Sequence, residues 1–195
     1  EKVTKMRIIV YAICKDEEKN VDLWYDSMKE ADAIYVLDTG STDKTIELLQ
    51  EKPNVIVKQQ IITPWRFDTA RNESLEMVPH DVDVCVCTDL DERFTPGWRQ
   101  EIEKVWTKAT TRGRYVYNWS FNEDGTPGVS FILDKIHSRH GYSWIHQVHE
   151  VLTNEIEEVS TFKEQEVTPV HKMPDLSSET ASIYAKEHRE AGQNE

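Results

Sequence analysis

Asp89-Leu90-Asp91 places two carboxylates one residue apart, directly after the apolar run Val82 to Cys87. As a chain leaves an extended strand, both side chains of such a pair can approach one point. Hard oxygen ligands in that arrangement suit Mg²⁺ or Mn²⁺, with the remaining coordination positions left for phosphate oxygens or water. A D-x-D triplet is common by chance, so its weight depends on what surrounds it. Two further acidic turns occur upstream, Lys15-Asp16-Glu17 and the stretch from Asp38 to Asp43. Each alone also reads as a helix cap. A second set, His137, His140, His146 and His149 with Glu150, is dense in titratable groups. It lacks the H-E-x-x-H order and a helical pattern, so a zinc hydrolase is disfavoured. The plain alternative makes His149 and Glu150 a hydrogen-bonded pair at a strand end.

The elements that must position these residues are legible from periodicity. Arg7 to Cys14, Ala33 to Leu37, Val55 to Lys58 and Val82 to Cys87 are short runs rich in apolar and branched residues, as expected of buried strands. A helix is expected from Asp16 to Glu30, with Val21, Trp24, Met28 and Ala31 on one face. Ser41 is a candidate N-cap for a helix through Gln50, and Asp68 for a short helix to about Met77. Thr95-Pro96 reads as the start of another, with Trp98, Ile102, Val105 and Ala109 facing inward. Strand–helix alternation over the first 110 residues predicts a mainly parallel sheet. Beyond it, Arg114 to Phe121 and Val129 to Leu133 flank Asn122-Glu123-Asp124-Gly125, a hairpin signal. Val148 to Leu152 and Val167 to Val170 are further short strands, and a polar helix is expected from about Ser177. The fold class is therefore α/β, a single Rossmann-like domain over 1–195 with a smaller, irregular or antiparallel region. In such sheets ligands bind beyond the carboxyl ends of the strands, where all three acidic turns fall.

Composition limits the partners. Asp and Glu number 36 against 23 Lys and Arg, for a net charge of −13, which argues against broad binding to nucleic acid. An acidic protein that holds an anionic ligand must neutralise it locally, and a divalent cation does so. No segment approaches the ~20 apolar residues of a membrane-spanning helix, and the N-terminus lacks a signal-peptide profile. Cys14, Cys85 and Cys87 lack zinc-type spacing and are expected to be buried free thiols, with Cys85 and Cys87 on one face of a strand. These features suggest a cytoplasmic domain, with the chain possible as a piece of a longer protein.

In order along the chain, Tyr11-Ala12-Ile13-Cys14-Lys15-Asp16-Glu17-Glu18, Val36-Leu37-Asp38-Thr39-Gly40-Ser41-Thr42-Asp43-Lys44-Thr45, Phe67-Asp68-Thr69-Ala70-Arg71-Asn72, Asp89-Leu90-Asp91-Glu92 and Val148-His149-Glu150-Val151-Leu152 together resemble the family 2 inverting glycosyltransferases of the GT-A fold. The resemblance spans roughly residues 7 to 171, and extends to a viral example, for which the location would be the host cytoplasm. It implies a nucleotide-sugar-binding half (about 1–110), an acceptor-side half (about 111–175) and a C-terminal helix (176–195). The donor would be a UDP-sugar and the acceptor a glycan or other hydroxyl compound. Glu17 and Asp38 would contact uracil and ribose, with Ala12, Cys14 and Gly40 lending backbone or close packing. Arg71 would bind the nucleotide or diphosphate, against the plainer reading of a salt bridge to an acidic turn. Asp89, with Leu90 beside it, would lie near ribose and cation. Asp91 would ligate Mn²⁺ or Mg²⁺, and a late histidine, His171, would complete the shell. Glu150, or Asp134 in its place, would act as general base.

Two departures accompany the resemblance: Lys15-Asp16 stands where Lys-Asn or Arg-Asn is commoner, and two cysteines replace aliphatic residues before the D-x-D. Trp65, Trp119, Tyr142 and Trp144 are candidates for stacking on sugar rings, with core packing as the plainer reading. The competing functions are a catalytically silent nucleotide- or carbohydrate-binding domain and a sugar-1-phosphate nucleotidyltransferase. The latter wants a Gly-rich basic loop after the first strand, where this chain is acidic.

Overall fold

The computed structural model describes residues 5–154 and the backbone of the strand at 163–172. Among the described residues ten strands and four helices follow in the order β1 (Ile8–Cys14), α1 (Val21–Met28), β2 (Ala33–Asp38), α2 (Thr45–Gln50), β3 (Val55–Gln59), α3 (Phe67–Glu76), β4 (Val84–Cys87), β5 (Glu92–Phe94), α4 (Trp98–Val105), β6 (Thr110–Asn118), β7 (Ser130–His137), β8 (Tyr142–Ile145), β9 (Val151–Asn154) and β10 (Lys163–Lys172). Eight form one sheet in the order β3-β2-β1-β4-β7-β6-β10-β5, and β8 and β9 form a separate antiparallel pair. The β3-β2-β1-β4 half is wholly parallel. The other half is mixed: β7 runs antiparallel to β4 and β6, while β10 is parallel to β6 and antiparallel to β5.

Every residue of β1 is buried, because helices cover both faces of the parallel half. Ile8, Val10 and Ala12 pack toward α1 and α4 through Trp24, Met28, Trp98 and Ile102. On the opposite face Ile9, Tyr11, Cys85 and Cys87 pack under α3 and the β8–β9 pair. Each fully buried large side chain contributes roughly 1.5–3 kcal/mol. The two cysteines therefore share one face, as alternation requires, and all three described cysteines are free and buried. Burial pushes the Cys85 and Cys87 thiols up to about 12 and about 11, so both stay protonated near neutrality.

The helices start later than their sequence signals. Residues 16–20 precede α1 because their backbone amides are occupied by the neighbouring loop: Asp16 N donates to Ser41 Oγ, Glu17 N to Thr45 Oγ1, and Glu18 N to Asp43 Oδ2. Ser41 consequently does not cap α2, which begins at Thr45 with Asp43 Oδ1 accepting from Thr45 N at 2.9 Å. Asp68 lies inside α3, paired with Arg66 instead of capping the helix. α4 begins at Trp98 after Gly97 (φ 87°), and Glu30 caps it from outside by accepting from Gly97 N and Arg99 N. The helix expected from Ser177 lies outside the described residues. Among the described residues no helix is long and apolar enough to cross a membrane.

Candidate active site

The first two loops at the carboxyl edge are built by their own acids. Asp38 ends β2 fully buried, and its carboxylate accepts from Gly40 N (3.0 Å), Ser41 N (2.9 Å), Gln59 Nε2 (3.0 Å) and the Ser41 hydroxyl. Burial works to raise its pKa, but hydrogen bonds from Ser41, Gln59 and Gly40 overcome this and hold it below the usual carboxylate range. Asp16 adopts φ 53°, a left-handed position that Asn and Asp tolerate best, and accepts from Thr42 N at 2.7 Å. Gly40, at φ 124°, turns the chain where any Cβ would meet Ile61 Cδ1 at 2.8 Å.

The third loop carries the D-x-D. Thr88 is held by Trp24 Nε1 from α1 at 3.0 Å. Asp89 N donates to Glu92 Oε2 (3.1 Å), and Glu92 N donates to Asp89 O (3.0 Å). Arg93 Nη1 ties down the Leu90 and Glu92 carbonyls at 2.6 and 2.7 Å. Leu90 points into the core, which leaves the two aspartates toward the edge.

The A-R-N triplet of α3 joins this loop to the acceptor side. Ala70 packs in the core beside Ile13 and Leu37. Asn72 pairs with the Trp144 backbone in both directions at 2.8 Å, donating from Nδ2 and accepting at Oδ1, and so fixes β8. Between them Arg71, nearly fully buried, reaches Asp89 Oδ1 at 2.7 Å and Glu150 Oε1 at 3.0 Å with the same Nη2. Glu150 is brought there by a strained turn, with His146 at φ 78° and His149 at φ 56°. Such non-glycine conformations cost of order 1–3 kcal/mol each and concentrate at functional sites.

Sequence reading missed two members of the cluster. Lys135 of β7 lies 3.5 Å from Asp89 Oδ2 and 3.1 Å from Glu92 Oε1. Glu92 is itself buried. Burial acts against the charge on Asp89, but Arg71 and Lys135 outweigh it and hold its pKa well below the usual range. Burial likewise opposes the Lys135 charge, and Glu92 and Asp89 reverse that. Glu92 is pushed up by burial and by Asp89, with Lys135 opposing. Glu17 is raised by burial and then by Asp91 and Asp89, so all three carboxylates share one field. The signal for Lys135 was absent from sequence because nothing local marks a lysine in an apolar strand as buried.

Other expected residues fall elsewhere. Ala12 is fully buried in the core of the sheet, because β1 is covered on both faces. Cys14 is buried with its thiol 3.5 Å from Asp38 Oδ2. Asp134 pairs with Arg112 at 2.9 Å, and Arg112 also binds the Leu152 carbonyl, so this carboxylate helps tie β7 to β6 and, through Arg112, to β9. The backbone of His171 lies opposite Arg93 and Asn118, while its side chain is outside the described residues. Tyr142 and Trp144 are core residues, whereas Trp65 and Trp119 are exposed. The histidines do not converge: His137 is buried, His140 stacks on His80, and His146 and His149 are exposed.

A cation must be judged on the donor set. Among the described residues no three His, Cys, Asp or Glu side chains form a metal-holding group. Mg²⁺-type ions, however, are commonly held by one or two carboxylates plus substrate phosphates. Asp91, half-buried at the edge beside the ion-paired Asp89, fits that pattern.

A parallel α/β half with an acidic carboxyl edge, continued by a mixed half, is the GT-A type of domain. The sequence model of Glycosyl transferase family 2 matches residues 9–151, and the chain belongs to that family. No curated protein sequence matches it. Among solved structures, glucosyl-3-phosphoglycerate synthase from Mycobacterium tuberculosis with phosphoglyceric acid superposes with a TM-score of 0.59 at 14% identity, covering 91% of this chain and 75% of that one. The same synthase with Mn²⁺, UDP and glucosyl-3-phosphoglycerate gives 0.57 at 14%, covering 91% and 76%. S. aureus TarS 1-349 gives 0.46 at 18%, covering 64% of this chain, which spans only 38% of that structure. At these identities the synthase likeness establishes the fold.

Proposed function

We propose that this domain transfers a sugar from a UDP-sugar to an acceptor hydroxyl with inversion, aided by Mn²⁺ or Mg²⁺ at the D-x-D. The observation that carries the reading is the single Arg71 nitrogen that holds both Asp89 of the donor-side loop and Glu150 of the acceptor-side turn. A transferase needs its diphosphate site and its proton acceptor on either side of one anomeric carbon, and this guanidinium spans them.

Charge supports the cation. Asp89, Glu92 and Glu150 pair with Arg71 and Lys135, and Asp91 and Glu17 add carboxylates to the same field. A diphosphate entering beside so many carboxylates is favoured when positive charge accompanies it. Asp91 would hold the ion, with Asp89 beside it and His171 a further candidate from β10. When bound, the ion supplies electrostatic stabilisation to the departing diphosphate. The synthase that shares the fold was crystallised with Mn²⁺ and UDP, which supports the same donor class.

The chain's own residues do the rest. Glu17 and the Gly40 turn border the nucleoside side, and Asp38 serves by keeping that turn in shape. Arg71, whose guanidinium is held by Glu150, Asp89 and the Cys87 sulfur, lends its positive charge to the diphosphate side of the site as charge grows there. Glu150 accepts the proton from the acceptor hydroxyl as it attacks the anomeric carbon, in one displacement without a covalent enzyme intermediate.

Screening nucleotide sugars for thermal stabilisation with and without Mn²⁺ tests the reading, since a ligand that binds the native state raises its stability by mass action. Stabilisation by a UDP-sugar that depends on the ion is the expected result. A flat response to every nucleotide sugar overturns it.

A further inference from the structure

Lys135 enters the site by way of an irregularity in the sheet. Along the β6–β7 pair, Gly113 lies opposite Ile136 and Tyr115 opposite Leu133. Asp134 and Lys135 therefore share the single position facing Arg114, which is a β-bulge. Such an extra residue re-aims side chains and recurs beside active sites. Here it turns the Lys135 ammonium, largely buried, onto the D-x-D loop, between Asp89 Oδ2 and Glu92 Oε1.

The consequence concerns the division of labour between the two aspartates. Arg71 takes Asp89 Oδ1 and Lys135 faces Oδ2, so both oxygens of Asp89 are engaged by cations from different elements, α3 and β7. Glu92, on the same loop, also receives the Asp89 amide. We propose that Lys135 is a positioning residue that, with Arg71, clamps Asp89 by both oxygens and so sets the D-x-D loop in the shape that presents Asp91 to the cation and diphosphate. This inference rests on the donor reading above. Lys135 acts through Asp89 and need not touch donor or acceptor.

A purely structural reading exists: Lys135 is the counter-ion of buried Glu92. Lys135→Met alone would strand that carboxylate and could unfold the protein, so the informative variant removes the pair together. Glu92→Gln/Lys135→Met replaces both charges by neutral groups of similar size, and the Gln oxygen still accepts from Asp89 N. Mn²⁺ is titrated at fixed UDP, reading free Mn²⁺ by its paramagnetic resonance signal, alongside calorimetric UDP binding and thermal unfolding. The expected result is a folded double variant with Mn²⁺–UDP affinity lowered about 10- to 100-fold, the usual cost of losing a group that orients a metal ligand. Glu92→Gln alone, which leaves Lys135 to Asp89, is expected to keep affinity within a few-fold of wild type, as is Lys135→Arg.

Wild-type affinity in the double variant overturns the proposal, and so does a Glu92→Gln variant whose Mn²⁺–UDP affinity falls about 10-fold or more. The second arm stands even if the double variant does not fold. Wild-type protein that binds neither UDP nor Mn²⁺ overturns the donor reading, and this inference with it; the variant outcomes overturn this inference alone.

Discussion

Arg71 lays two nitrogens, Nε at 3.1 Å and Nη2 at 3.0 Å, on the same oxygen of Glu150. The Nη2 atom also bonds Asp89, and the guanidinium carbon lies 5.5 Å from the centre of the Trp144 ring. Lysine has one charged tip and cannot reproduce this three-way contact. Arg71→Met should therefore lose about 3 kcal/mol or more of folding stability, the scale for removing one partner of a buried ion pair. It should also abolish UDP binding. Arg71→Lys should recover part of the stability and little of the binding. Urea unfolding and calorimetry on both variants check this, and binding retained in Arg71→Lys would show that a point charge suffices.

Glu150→Gln keeps an oxygen for Arg71 to hold, so the turn at His146–His149 should persist. Donor affinity should stay near wild type. Transfer to an acceptor should fall ~10²-fold or more, as expected when a general base is removed. Single-turnover kinetics with a saturating UDP-sugar separate the two effects. Near-normal transfer would remove Glu150 from the chemistry and leave Arg71's partner as a strut.

The two aspartates should behave differently when neutralised. Asp91→Asn alters a half-buried edge carboxylate, and stability should change by no more than about 1 kcal/mol. Mn²⁺-dependent UDP binding should nevertheless disappear. Asp89→Asn instead strips the shared anion from Arg71 and Lys135, two buried cations, and should destabilise the fold measurably as well. Parallel melting curves and Mn²⁺ titrations compare them. Equal stability losses in both variants would contradict the asymmetry.

The parts of this site that were legible beforehand are those in which a local rule and a functional rule coincide. Asp38-Thr39-Gly40-Ser41 reads as turn chemistry, and its Asp and Gly are there for backbone reasons. Asp89-Leu90-Asp91 follows an apolar run, so strand end and carboxylates were visible together. Asn72 and Arg71 act over distances of more than seventy residues, onto Trp144 and Glu150, and only the whole motif hinted at them. Lys135 and Glu92 were missed because a bulge and a three-residue strand leave no period to detect. Helix starts were misplaced where one loop's hydroxyls and carboxylates occupy another loop's amides, as Thr45 and Asp43 do for Glu17 and Glu18. Capping rules see only neighbours in sequence, and these caps come from across the edge.

A pH-sensitive hydrogen-bond chain runs through the buried face of the sheet beneath Arg71, starting at Trp144. Trp144 Nε1 can only donate, and it lies 2.9 Å from Tyr11 Oη, which must accept. The Tyr11 proton then points to His137 Nε2 at 2.8 Å, so that nitrogen is bare, and Nδ1–H donates to the Ser138 carbonyl at 2.8 Å. Every donor and acceptor in this buried chain is matched only while His137 is neutral. Burial, with Arg112 and Arg139 adding to it against the bond to Ser138, lowers its pKa to about 3. The unfolded chain takes up this proton near the ordinary histidine value of about 6.5, and the folded one does not. Stability from this group is thus complete above about pH 6.5 and is lost on acidification toward pH 3, at up to about 1.4 kcal/mol per pH unit. The depressed carboxylates Asp38 and Asp89 add their losses only below their unfolded values near pH 4, while the raised Glu17 and Glu92 act with the opposite sign, so across the interval from about 6 to 5 the histidine is read as the difference between wild type and a variant that lacks it. Urea midpoints across that interval should fall in wild type and flatten in His137→Gln, whose amide can accept from Tyr11 but cannot take up a proton. An equal slope in the two proteins would place the sensitivity elsewhere.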